Sequence, residues 1–204
     1  MNLLGNIRKV MFHPLDFFYD IQFEERAKWR HAIILLVMTV IVHMVIISWT
    51  GYSFEGRLPY QISVLFETFW ILVPWITWCV SNWAVSAILE GEGRFKDIVV
   101  SAAYAMAPYI VLSIPLAIVS RVLTLDEKVS YYIFLYAILV WVALLFLIKV
   151  KTLHDFELGK MIWITFLTLI GMLIIWFVGF LVFGLINQVF DFIYGIVKEV
   201  QFRL

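Results

Sequence analysis

Thirty consecutive residues, 161–190, carry no charged side chain, and they form the longest of five apolar stretches in this chain of 204 residues. A helix rises about 1.5 Å per residue, so about 20 apolar residues cross a hydrocarbon layer roughly 30 Å thick. The windows that meet or approach this length are 32–50, 62–89, 98–120, 129–148 and 161–186. A composition of 64% hydrophobic and 15% charged residues also lies far from that of soluble globular proteins. The sequence therefore predicts an all-α polytopic membrane protein, with a five-transmembrane-helix bundle over residues 29–186.

Lysine and arginine are divided unevenly between the two sides of the predicted bundle. Positively charged residues accumulate on the cytoplasmic side of a membrane because they resist translocation. Ten of the fifteen fall on the side of the amino terminus and five on the opposite side. We therefore expect a protein of the cell (plasma) membrane with its amino terminus in the cytoplasm and its carboxyl terminus outside. The formal net charge is zero and does not indicate a nucleic-acid partner.

Amphipathic segments flank the predicted bundle. Within residues 1–28, charged side chains follow one line at i, i+4 spacing, whereas Phe17, Phe18 and Ile21 form an apolar side. We expect this segment to lie at the cytoplasmic membrane interface, with the three apolar side chains docked on lipid or on a partner. Residues 187–204 return to an amphipathic pattern. This tail either continues the fifth span or lies on the outer surface.

The third apolar window combines small residues with two prolines. Ser101 and Ala105 form a small-xxx-small pair, which lets a neighbouring helix approach closely. Pro108 and Pro115 each remove a backbone donor, and both should bend the helix. We expect this window to govern helix packing inside the bundle.

Three sequence features resemble those of a known family. They are His13-Pro14 followed by Phe17-Phe18, a Gly-Glu-Gly-Arg-Phe turn at 91–95, and Tyr104-Ala-Met-Ala-Pro108. In this order they resemble the Yip-one domain family, the Ypt/Rab-interacting membrane proteins, and in particular its short bacterial branch. The resemblance covers about residues 12–186 and implies a five-span bundle with an accessory role in transport and envelope systems. It implies no established catalytic residues.

Polar residues inside the predicted spans are functional candidates, because an ionisable group in hydrocarbon costs several kcal/mol unless it is paired or hydrated. His43 and Glu67 lie at similar depths in the outer half of spans one and two, so we expect their side chains to meet or to share water. The plainer alternative is a Glu67 that reaches the surface beside a neutral His43 that packs between helices. Closer to the cytoplasm, Asn82 and Tyr104 lie at similar depths and predict a second polar cluster, more typical of interhelical packing than of a cavity.

The sequence contains no convincing catalytic or metal-binding pattern. The loop 152–157 combines His154 with two acidic residues, but a solvated loop that caps the fifth span fits it better than a metal site. No serine, histidine and acid set and no HExxH pattern is present. We therefore expect neither an enzyme nor a bound cofactor or metal.

Two functions remain after these exclusions. The first is a non-enzymatic accessory or scaffold protein that contacts the lipid bilayer and binds another membrane protein, in a transport or envelope complex. The alternative is a small transporter or channel with a polar path near His43, Glu67 and Asn82. A polar cavity continuous from Asn82 to Glu67 would favour transport, whereas a bundle filled by tryptophans would favour the scaffold. The sequence leaves homo-oligomerisation open.

Overall fold

The computed structural model describes residues 3–23, 28–50, 54, 61–89 and 91–203. Nearly all of these residues are helical and none of them lies in a strand, which confirms the predicted all-α class. The predicted outer loop between the first two spans lies almost entirely outside the described residues, as do residues 24–27 of the amino-terminal segment.

Two short helices precede the bundle: α1 is Leu3–Phe12 and α2 is Pro14–Phe23. Pro14 begins α2, where the missing N–H costs no helical hydrogen bond. The sequence predicted that the apolar side of α2 docks on lipid or on a partner. The structure contradicts this prediction. Phe17, Phe18 and Ile21 are buried within the chain and belong to its main hydrophobic core. An amphipathic face shows only that something apolar covers it, and here the covering surface is the bundle itself.

Five helical segments are long and apolar enough to cross a membrane. The first, second and fourth are single helices: α3 is Trp29–Trp49, α4 is Val64–Ile88 and α7 is Lys128–Leu153. The third is divided into α5, Phe95–Ala105, and α6, Ala107–Val119. The fifth is α8, Leu158–Arg203. A short 3-10 turn, Leu125–Glu127, precedes α7.

Helix α5 occupies the centre of the bundle. All its residues from Asp97 to Ala105 are buried, and it contacts α3, α4 and α7 as well as both amino-terminal helices. Ser101 and Ala105 are fully buried. Small side chains let neighbouring backbones approach closely, which explains why this segment is surrounded on all sides.

The third span breaks between α5 and α6, at Met106. Pro108 lies two residues later, inside the first turn of α6, and it cannot donate to the carbonyl of Tyr104 one turn earlier. Pro115 lies inside α6 without interrupting it. The two prolines, which the sequence treats alike, therefore have different effects: Pro108 is buried beside the break, whereas Pro115 is exposed on the bundle surface.

Helix α8 is much longer than a membrane span. Its 46 residues extend roughly 69 Å at about 1.5 Å per residue. It packs mainly against α4, through its first half. The amphipathic tail of residues 187–203 continues the same helix without a break.

Candidate functional site

Three side chains from three helices form a hydrogen-bonded cluster in the predicted outer half of the bundle, which we call the outer polar cluster: His43, Glu67 and Tyr109. The Nε2 atom of His43 lies 3.0 Å from Oε2 of Glu67. Its Nδ1 atom lies 2.7 Å from the Tyr109 hydroxyl. In the imidazole tautomer with its proton on Nε2, His43 donates to the Glu67 carboxyl group and accepts the Tyr109 hydroxyl proton at Nδ1.

The start of α4 explains how the outer polar cluster accommodates the carboxyl group of Glu67. Glu67 lies in the first turn of α4, where the helix dipole stabilises a negative charge. It is 7% exposed, so it does not reach the surface as the plainer interpretation required. The pair of His43 and Glu67 was a hypothesis from their matching depths, and the structure brings the two side chains together. Tyr109 was missed, because its position on α6 depends on helix rotation rather than depth.

A second cluster, the inner polar cluster, comprises Asn6, His31 and Tyr104. The Nδ2 atom of Asn6 donates to the Tyr104 hydroxyl at 2.8 Å, and that hydroxyl lies 2.7 Å from Nδ1 of His31. The Tyr104 hydroxyl thus accepts a hydrogen bond from α1 and forms a second one with α3, which ties α1 to the bundle. Phe17 of α2 packs edge-on against the Tyr104 ring, with the ring centroids 4.8 Å apart.

A crevice of about 240 Å³ opens beside the inner polar cluster. Asp20 and Lys28 line it together with the three members of the cluster. The Oδ1 atom of Asn6 is buried and has no hydrogen-bond partner among the described residues. A crevice with a polar lining has room for bridging water at this face of the bundle.

Asn82 does not join Tyr104, although the sequence predicted one polar cluster for both. It donates to Oγ1 of Thr168 at 3.3 Å, and the adjacent Ser81 hydroxyl donates to the Thr168 carbonyl at 2.6 Å. Both bonds connect α4 with α8. The prediction was wrong because similar depth does not place two residues on facing sides of their helices. Gly171 of α8 completes this contact, since a Cβ atom there would collide with the Ser81 hydroxyl.

Lys149 is a buried charge that the sequence did not single out. It follows the fourth apolar window directly and was counted among the cytoplasmic flanking cations, yet the structure leaves it only 1% exposed inside α7. Its Nζ atom lies 3.4 Å from the Ile98 carbonyl and 5.1 Å from the centre of the Phe146 ring. The available signal was a lysine at the edge of an apolar run, which is also typical of an exposed flanking charge.

The sequence predicted that His154 lies in a solvated loop. In the structure His154 is instead buried at the end of α7. Only 2% of it is exposed, and its Nδ1 atom accepts a hydrogen bond of 3.1 Å from the Gly93 N–H. The turn at 91–93 needs glycine, because a Cβ atom at Gly91 or Gly93 would overlap the imidazole. Burial lowers the pKa of His154 to about 4, and the nearby charge of Lys149 adds to this shift. In the described part of the chain, no group of three or more histidine, cysteine or acidic residues could hold a metal ion.

The space between α4, α7 and α8 is apolar. A crevice of about 570 Å³ is lined there by Trp70, Trp75 and Trp78, by apolar side chains of α7, and by Thr165 and Met172 of α8. Trp75 is buried, and Trp70 packs against Trp176 with the ring centroids 5.9 Å apart. Aromatic side chains therefore occupy α4 between the levels of Glu67 and Asn82.

A protein-family comparison matches the Yip1 domain over residues 8–180, which is most of the chain. The match includes all the residues on which the resemblance to this family rested. Comparison with curated proteins and with solved structures finds no match. The family is one of membrane proteins and is not known for enzymatic activity. With its five apolar membrane-crossing segments and this family match, the chain is an integral membrane protein that belongs to the Yip1 domain family.

Proposed function

We propose that the protein is a non-enzymatic accessory or scaffold protein of the cell membrane that binds another membrane protein in a transport or envelope complex. The observation that carries this proposal is that buried or partly buried polar side chains of different helices bond to one another. The outer polar cluster joins α3, α4 and α6, and the inner polar cluster joins α1, α3 and α5. Groups used in this way stabilise one arrangement of helices.

The alternative function, a small transporter or channel, draws support from the outer polar cluster alone. An ionisable pair inside a membrane marks an ion or proton path in many transporters. Glu67 and Asn82 are fifteen residues apart on α4, roughly 22 Å along the helix. The tryptophans between them line an apolar crevice instead of a polar one. This arrangement favours the scaffold over the transporter.

The proposed orientation places α1 and α2 in the cytoplasm and the end of α8 outside, in accordance with the excess of lysine and arginine on the amino-terminal side. The amino-terminal helices would then present their outward faces to cytoplasmic parts of a partner. Phe12 and Tyr19, which are 70% and 55% exposed, lie on those faces.

Purification in a mild detergent tests the proposed function. We expect a transport or envelope complex to be recovered with the protein in a fixed stoichiometry, and we expect the protein in liposomes to show no solute or ion uptake above that of empty vesicles. The matched variant combines His43→Gln and Glu67→Gln, which removes the ionisable pair. A protein that purifies alone and mediates uptake that this variant loses would contradict the scaffold and establish the transporter.

A further inference from the structure

The second half of α8 extends beyond the rest of the bundle. Trp176 is the last residue with a described bond to α4: its Nε1 atom donates to the Thr77 hydroxyl at 3.1 Å. Trp176 also packs on Trp70, and α4 begins six residues before Trp70, at Val64. Since the two helices are antiparallel, these two contacts put the amino-terminal end of α4 level with roughly residues 182–189 of α8. Every residue from 177 to 202 is exposed.

The exposed part of α8 carries a regular apolar seam. Branched aliphatic residues recur at alternating spacings of four and three, the pattern of the a and d positions of a coiled coil. The seam comprises Val182, Ile186, Val189, Ile193, Ile196 and Val200. Asn187, Asp191 and Lys198 fall at b and f positions, away from the seam. The helix is therefore apolar on one side and polar on the opposite side over more than two heptads.

This part of α8 needs a covering surface. Residues 187–203 extend roughly 25 Å past the predicted fifth span, and an isolated helix of this length is marginally stable in water. Phe190, Phe192 and Ile193 are 66%, 67% and 51% exposed. Burial of such side chains contributes about 1.5–3 kcal/mol each, which a partner surface would supply.

Charge and helix geometry argue for a second copy of this chain rather than the lipid surface. Residues 187–203 contain two acidic side chains, Asp191 and Glu199, and two basic ones, Lys198 and Arg203, so their net charge is zero. Helices that lie on membranes are typically rich in lysine and arginine on the polar face. To lie on the membrane, α8 would also have to bend, and it contains no proline and is continuous to Arg203.

We propose that α8 helices of separate copies associate through this seam as a parallel coiled coil that begins at the outer end of the fifth span and continues beyond the membrane. Copies in one membrane share their orientation, so their α8 helices are parallel and their identical seams come into register. Branched residues at both a and d favour three or four strands over two. The apolar face is wider than the seam alone, because the flanking e and g positions carry Phe183, Leu185, Phe190 and Phe192. An assembly of three or four helices buries such a wide face more fully than a dimer does. This association is independent of whether the protein is a scaffold or a transporter.

Disulfide cross-linking in native membranes tests the coiled coil. Cysteine is introduced at the seam as Ile193→Cys and, as a matched control, at the opposite side as Asp191→Cys, both with the native cysteine removed by Cys79→Ala. The seam meets the Cα separation of about 4.4–6.8 Å that a disulfide requires, whereas f positions face outwards. We expect oxidation to cross-link the full-length Ile193→Cys variant into covalent dimers and to leave the Asp191→Cys variant monomeric.

Three results would overturn the proposal. The first is equal cross-linking of both variants, which indicates random collision. The second is no cross-linking at either site, with both thiols labelled by a water-soluble maleimide, which indicates a solitary helix. The third is no cross-linking and an Ile193→Cys thiol shielded from that maleimide, which indicates a helix on the lipid surface.

The number of copies gives a second readout that does not depend on cysteine chemistry. Val189→Asp combined with Ile196→Asp places two charges in the seam, and both side chains are exposed in the single chain, so its bundle should stay folded. We expect native mass spectrometry in mild detergent to detect three or four copies of the unmodified protein and one copy of this variant. The control Asn187→Asp, at a b position, should keep the assembly. A monomeric unmodified protein, or a double variant that still assembles, would contradict the proposal.

Discussion

Replacement of Tyr104 by phenylalanine removes one oxygen atom and with it both hydrogen bonds of the inner polar cluster. Asn6 is 6% exposed, so its Nδ2 group loses a hydrogen-bond partner at a largely buried position. An unsatisfied buried donor costs about 1–3 kcal/mol. His31 is only partly buried and can bond to water instead, so the loss of its hydrogen bond to Tyr104 costs less. We therefore expect Tyr104→Phe to weaken the docking of α1 on the bundle by about 2 kcal/mol.

Thiol labelling at the buried face of α1 measures this docking. Val10 is fully buried, so a Val10→Cys thiol in the Cys79→Ala background reacts only when α1 separates from the bundle. A destabilisation of about 2 kcal/mol raises the open population, and with it the labelling rate, about 30-fold. The control Tyr109→Phe removes a hydrogen bond of the outer polar cluster and should leave the rate at Val10→Cys unchanged. An unchanged rate in Tyr104→Phe would refute the role assigned to the inner polar cluster.

Three further predictions follow from the bundle. Gly171→Val should separate α4 from α8 because the valine side chain would collide with the Ser81 hydroxyl. We expect this variant to have a lower midpoint of thermal unfolding in detergent, whereas the control Gly179→Val, at an open position, should not. Burial lowers the pKa of His154 from 6.5 to about 4, so the folded state favours the neutral imidazole. The free energy of unfolding is therefore unaffected by His154 above pH 6.5 and falls by about 3 kcal/mol as the pH drops from 6.5 to 4. A His154→Gln variant with the same pH dependence of unfolding would contradict this. Pro108→Ala restores a backbone donor opposite the Tyr104 carbonyl, so amide hydrogen exchange at residue 108 should be slow; fast exchange would mean that the break at Met106 does not depend on the proline.

The sequence predicted the helical class and the number of membrane-crossing segments, because the length of an apolar run is read directly against the thickness of a bilayer. It also placed His43 and Glu67 at one depth, since both were counted from the same end of a helical hairpin. The third member, Tyr109, could not be found in this way. Its partner depends on how α6 is rotated, and rotation is set by packing against several helices at once.

The errors have three physical causes. Apolar surfaces that face lipid and those that face protein share one composition in a membrane protein. Phe17, Phe18 and Ile21 were therefore predicted to dock outside the chain, although they fill its core. Asn82 and Tyr104 were grouped by depth, although α4 directs Asn82 towards α8. His154 was taken as solvated because local sequence does not show that the glycine turn at 91–93 packs on it.

The central claim is that the chain crosses the membrane five times, which puts α1 and the end of α8 on opposite sides. Leu4 and Phe202 are 78% and 80% exposed, so Leu4→Cys and Phe202→Cys thiols are accessible reporters of the two ends. An impermeant maleimide applied to intact cells should label Phe202→Cys at once and Leu4→Cys only after the membrane is permeabilised. Equal labelling of both thiols in intact cells, or equal protection of both, would contradict the five crossings.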